Sequence, residues 1–198
     1  MFGLIFSRRK RVELQKAQKM LDIVNDFSRQ EVFYTQYGVP DTMTGRFDLI
    51  SLVASLVVIR LNRIANKDSQ GLVQAFFDVM FRQFDYSLRE GGVGDLSVPK
   101  HMKRMMQGFQ GRAHAYDMAL VRGMDDDGHA LSDEQKYDLL SRNLYNNEPS
   151  DAVTAAYGLF AELAAYIMQL SDDEILAGNI DFPKITALEN KQATKSAA

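Results

Sequence analysis

The segment LREGGVGDLSVPKHMKRM, residues 88–105, gathers many side chains able to do chemistry around three glycines at 91, 92 and 94. Such a loop cradles phosphate when it joins a strand to a helix and reads G-x-G-x-x-G or G-x-x-x-x-G-K-[ST]. Neither pattern is complete here: position 97 is Ser, no Gly-Lys-Ser/Thr follows, and both flanks carry helical periodicity. The stretch therefore reads as a turn. Gly91 or Gly92 supplies the left-handed stop of one helix, and Asp95 or Ser97 restarts the next.

Two further chemical readings fail in the same way. Setting Gly128 at the invariant glycine of a calcium loop places Asp125, Asp127 and Glu134 at ligand positions, but Gly123 then offers no first ligand and Ala130 stands where a larger aliphatic residue is usual. An acidic inter-helix loop is the simpler account. His101, His114 and His129 form no i,i+4 pair for a helical metal site, and no nucleophile has a recognisable base or oxyanion loop. The chain has 0 Cys, which excludes disulfides, thiolate zinc sites and Cys-held clusters. No catalytic residue, metal or cofactor is expected.

Charge patterning points to binding instead. Asp78, Arg82, Asp85 and Arg89 recur at spacings of four, three and four, a stripe of alternating sign along one helix face, each pair adding about 0.3 kcal/mol. Such a stripe is a solvated face or a contact surface. Beyond the glycines, Lys100, Lys103, Arg104 and Arg112 share a helix with Met102, Met105 and Met106. Methionine adapts to varied apolar partners, although cores use it too. Residues 1–11, MFGLIFSRRKR, put apolar residues ahead of Arg8, Arg9, Lys10 and Arg11, the reverse of a secretory signal. That order suits shallow insertion at an anionic membrane surface, or attraction to ribosomal RNA. With no signal, a cytoplasmic location is expected.

The elements that position these residues are helical. Over 198 residues the chain is 46% hydrophobic and 25% charged with net charge −3, enough for one folded domain and no general reason for nucleic-acid binding. Periodicity and caps predict helices over about 9–25, 28–37, 45–65 (capped by Thr44) and 68–90 (capped by Asp68 or Ser69). Further helices follow after residue 97, from the capping box at Ser132, after Ser150, and as a short turn after Ser171. The third is apolar around nearly its whole circumference and should be central. Its apolar stretch of 11 residues, Leu49 to Ile59, interrupted only by Ser51 and Ser55, is too short for a span of about 20. The fold class is all-α: one bundle of about seven helices over residues 12–183, followed by a disordered tail, residues 184–198.

Several of these motifs also occur together in a known family. Asp85-x-x-Leu88-Arg89-Glu90-x-Gly92-Val93-x-Asp95-x-x-Val98-x-Lys100-x-Met102-Lys103, then Phe109-Gln110-Gly111-Arg112, resembles the ubiquinol–cytochrome c chaperones. Upstream, Phe33-Tyr34, Tyr37-Gly38-Val39-Pro40-Asp41 and Gly45-Arg46-Phe47-Asp48 fit the same pattern. The chain departs at Gln83, where the family often carries an acid, and at Gln110, where it often carries an aromatic residue. The resemblance implies a non-enzymatic assembly factor for the cytochrome bc complex that binds newly made cytochrome b, peripheral to the inner membrane (on the matrix side in mitochondria). Asp85, Arg89, Glu90, Asp95, Lys100, Lys103 and Arg112 are then the candidate client contacts, and Arg8 to Arg11 the membrane- or ribosome-facing group. A helical ligand-binding protein or enzyme, and a ribosome- or RNA-associated adaptor, are the alternatives.

Overall fold

The computed structural model describes the backbone of residues 2–146 and 152–196, and side chains of residues 8–146 and 152–190. Among these residues there are nine α-helices and no strand beyond an isolated bridge between Met124 and Ala130. They are α1 (Phe2–Ser28), α2 (Val32–Thr35), α3 (Met43–Ile64), α4 (Lys67–Glu90), α5 (Val98–Tyr116), α6 (Asp133–Leu144), α7 (Ala152–Gln169), α8 (Asp172–Leu176) and α9 (Ile185–Ser196). A π-helical extension, Asp117–Arg122, continues α5 and stops at Gly123.

The expected central helix is the axis of the fold. Helix α3 touches α1, α4, α5, α6, α7 and α8, and Leu49, Leu52, Val53, Leu56, Val57 and Leu61 are fully buried. Arg9 meets Asp68 near the starts of α1 and α4, and Asn25 meets Gln83 nearer their ends, so these two helices run parallel. Phe33 of α2 stacks on Phe160 of α7 at 5.8 Å, tying the short corner helix to the core. Arg60, near the end of α3, donates to the Leu170 carbonyl at 2.6 Å and pairs with Asp172 at 2.5 Å. That guanidinium satisfies a carbonyl just beyond the C-terminal end of α7.

Several boundaries differ from the sequence expectation because a neighbour makes the better cap. Thr42, not Thr44, caps α3, accepting from Gly45 N at 3.0 Å. Asn66, not Asp68 or Ser69, caps α4, with Ser69 closing the reciprocal box. The boxes at Ser132 and Ser171 form as expected; the expected cap at Ser150 lies outside the described residues. Helix α1 also extends back to Phe2.

The largest correction is the tail. Residues 185–196 form a helix rather than a disordered segment, because Ile185 and Leu188 bury against the core at 6% and 0% exposure. Glu189 accepts from the Tyr37 hydroxyl at 2.7 Å. Two apolar residues three apart were too little periodicity to register against the polar sequence that follows.

Candidate protein-docking surface

The glycine segment folds as the sequence implies. Gly92 has φ +82, its N–H reaches the Arg89 carbonyl at 3.0 Å, and Val93 N–H reaches the Leu88 carbonyl at 3.0 Å. This is the reciprocal pair of bonds that closes a helix with a left-handed residue. Arg89 clasps the turn, donating to Asp85 at 2.8 Å and to Asp95 across the glycines. The Arg89 guanidinium holds the Asp85 carboxyl below its usual range. At the tip Leu96 is 98% exposed, a large apolar side chain with no use inside the fold.

The candidate client residues divide on inspection. Asp85, Arg89 and Asp95 form one ion cluster. Glu90, Lys100 and Lys103 are exposed, and no described residue pairs with their charges. Of the expected α4 stripe only the Asp85–Arg89 pair forms: Asp78 accepts from Gln74 at 2.9 Å, and Arg82 makes no ion pair among the described residues.

Arg112 does not join the others on the outer surface. Its Nη2 lies 2.8 Å from Oδ1 of Asp48, a carboxylate at 0% exposure on α3. The approach is an ion pair but not a hydrogen bond, and no described residue donates to either Asp48 oxygen. Burial raises the Asp48 pKa to about 6, against the opposing pull of Arg112. Arg112 also sits 5.6 Å above the Phe47 ring, whose edge meets Phe84 at 4.9 Å. Sequence reasoning missed Asp48 as a site residue although a signal existed. A carboxylate within a helix that is apolar all round must be buried, and a buried charge needs a cation on a neighbouring element.

Two grooves open beside these elements. The first, about 220 Å³, is floored by Phe47, Ile50, Phe84 and Leu88, walled by Tyr34, Met43 and Met105, and rimmed by Arg29 and Arg46. Arg46 is held by Asp41 through Nε at 2.7 Å and lies 5.2 Å over the Tyr34 ring. Gln83, one of the departures noted above, lines this groove and accepts from the buried Asn25 amide at 3.1 Å. At about 100° per residue, Asp85 falls on the opposite side of α4 from Gln83, so the ion cluster and the groove occupy different faces. The second groove, about 580 Å³, runs along α4 and α5 over the stacked Phe77 and Phe81 rings. It is lined also by Gln74, Asp78, Arg82, Met106 and Gln110. Met106 is 46% exposed there.

The remaining chemical candidates are engaged in local structure. Ligand atoms of Asp125, Asp127 and His129 lie within 4.8 Å of one another, but Asp125 accepts from the His129 N–H at 2.8 Å and so closes a tight turn. His114 pairs with Asp126 at 2.8 Å. In the basic run, Arg9 is tied to Glu13 at 3.0 Å and to Asp68 at 2.6 Å, whereas Arg8, Lys10 and Arg11 face solvent. The side chains of Phe2, Leu4, Ile5 and Phe6 lie outside the described set. No described helix is long and apolar enough to cross a membrane.

The comparisons with known proteins address this whole arrangement. The sequence matches the family described as Ubiquinol-cytochrome C chaperone over residues 35–182. No curated protein matches significantly. Among solved structures, the Cbp3 homolog from Brucella abortus superposes with a TM-score of 0.76 at 29% identity, covering 94% of this chain and 98% of that one. The matched span takes in α3 to α8 together with the glycine turn, the ion cluster and the buried Asp48–Arg112 pair, and on that match the chain belongs to the ubiquinol–cytochrome c chaperone family.

Proposed function

We propose that this chain is a non-enzymatic chaperone that binds newly made cytochrome b and assists its assembly into the cytochrome bc complex. Family membership supplies the complex. The observation that favours direct client contact is the outer surface of α4 and α5. Leu96, Tyr86 and Met106 are exposed at 98%, 63% and 46%, alongside Glu90, Lys100 and Lys103, whose charges no described residue pairs. Apolar side chains alternating with charge suit a partner that is itself amphipathic, and they make poor catalytic machinery. Asp85, Arg89 and Asp95 hold the turn that presents this surface. Arg112, paired with Asp48, lies instead over Phe47 at the first groove.

Docking near the membrane would use the start of α1. Arg8, Lys10 and Arg11 each contribute about 1 kcal/mol near an anionic leaflet, which supports a position on the cytoplasmic face of the inner membrane, or the matrix face in a mitochondrion. The ribosome is the other polyanion those charges would meet. The test is affinity capture from actively translating cells, with and without the chain. Cytochrome b should co-purify, and deletion should deplete the assembled bc complex. Absence of cytochrome b together with an intact complex in the deletion strain refutes the assignment.

A further inference from the structure

We infer that the groove between α2, α3, α4 and α5 binds an apolar peptide segment that carries an acidic side chain. The inference rests on the chaperone reading for the client's identity, but its chemistry comes from the groove. Two cations, Arg29 and Arg46, stand at the rim, and among the described residues no carboxylate lines it. Arg29 is exposed and makes no ion pair among the described residues. Asp41 engages only Nε of Arg46, which leaves both Nη groups able to fork onto an incoming carboxylate.

Size and surface narrow the occupant. A volume of about 220 Å³ is below the roughly 300–1,000 Å³ of small-molecule sites, but accommodates side chains projecting from a peptide. Met43 is 71% exposed and lines the groove together with Met105, so flexible thioethers can repack around different apolar side chains. The floor is rigid by contrast, since Phe47 is fixed between Arg112 and Phe84. Adaptable walls over a fixed aromatic floor, with cations on one rim, read apolar character plus one acid rather than a single sequence.

The test uses the full chain and fluorescein-labelled peptides tiling the loops and helix ends of cytochrome b, each paired with its acid-to-amide counterpart and followed by anisotropy. The acidic peptides that bind should do so about tenfold more tightly than their amides. The double variant Arg29→Gln/Arg46→Gln should erase that preference while keeping the wild-type melting curve, because both side chains are exposed. Arg142→Gln, which removes an exposed cation from α6 away from the groove lining, should leave the preference intact. Equal binding of acid and amide, or a preference that survives the double variant, overturns the inference. If the double variant still captures full-length cytochrome b as wild type does, the groove assignment falls and the chaperone reading stands. If unrelated acidic–apolar peptides show the arginine-dependent preference while cytochrome b never binds, the groove stands and the client is wrong. Loss of binding to phosphatidylglycerol vesicles in the double variant, with peptide affinities unchanged, assigns the rim to lipid and also overturns it.

Discussion

Replacing Asp48 with Asn should remove a specific pH dependence from the stability of this protein. Asp48 is 0% exposed, and burial lifts its pKa from 3.8 to about 6. Between those values the folded chain holds a proton that the unfolded chain has released. Stability from this group is therefore fully present below the unfolded pKa and is lost as pH rises through the folded one. At 1.36 kcal/mol per unit, the whole window is worth about 3 kcal/mol, of which about 2.5 kcal/mol falls between pH 4 and 7. Other carboxylates, such as Asp85 and Asp126, have depressed values and act in the opposite sense, so the wild-type curve alone is uninformative. The informative quantity is the difference between Asp48→Asn and wild type, measured by urea unfolding at each pH. The variant should gain about 2.5 kcal/mol on wild type from pH 4 to 7, or roughly 5–10 °C in Tm for a chain of this size. A difference that stays flat with pH refutes the raised pKa. A difference of opposite slope means that the Arg112 pair outweighs desolvation.

Two further substitutions test the frame around the surface. Gly45→Ala would put a Cβ 2.0 Å from the Pro40 carbonyl oxygen, whereas at Gly92, with φ +82, an added Cβ meets nothing within 4 Å. The first should prevent the 40–45 corner from closing, and the second should cost only the left-handed penalty of about 1–2 kcal/mol, the two being ranked by urea titration. Leu188→Ala removes the fully buried anchor of α9 and should cost about 2–5 kcal/mol. It should also raise amide exchange in 185–190 before it does in α3, which hydrogen-exchange mass spectrometry would resolve.

Much of the architecture was legible because its signals are local. Capping boxes at Ser132 and Ser171, the left-handed stop at Gly92 and the all-apolar circumference of α3 each depend on a few neighbouring residues, and each appears in the fold. What was not legible depends on pairs far apart in the chain. Arg112 reads from sequence as one more surface cation, because only the packing of α3 against α5 brings it to Asp48. Helix α9 reads as a polar tail, because its two apolar residues carry too little periodicity of their own and are buried only by packing against α7, while Glu189 accepts from Tyr37 far upstream. The α4 stripe has the right spacing for a ladder of ion pairs, yet Gln74 takes Asp78 and leaves Arg82 without a partner among the described residues. Spacing establishes which residues share a face, and competition among neighbours decides which of them pair.

The buried pair also explains why a contact surface and a stability determinant meet in one motif. A buried ion pair adds little net stability compared with apolar residues of the same volume, so its consequence here is geometric. The carboxylate of Asp48 fixes the Arg112 guanidinium, the guanidinium lies on the Phe47 ring, and the ring floors the groove rimmed by Arg29 and Arg46. A hydrophobic residue at position 48 would remove the carboxylate that Arg112 faces, and with it the cation's fixed place over the Phe47 ring. Gly45, Arg46, Phe47 and Asp48 thus act as one unit. Gly45 lets α3 start against Pro40, Arg46 serves the rim, Phe47 the floor, and Asp48 the orientation of the floor. Four consecutive residues of a helix point in four directions about 100° apart. That is how one short motif can serve the corner, the rim, the floor and the core together.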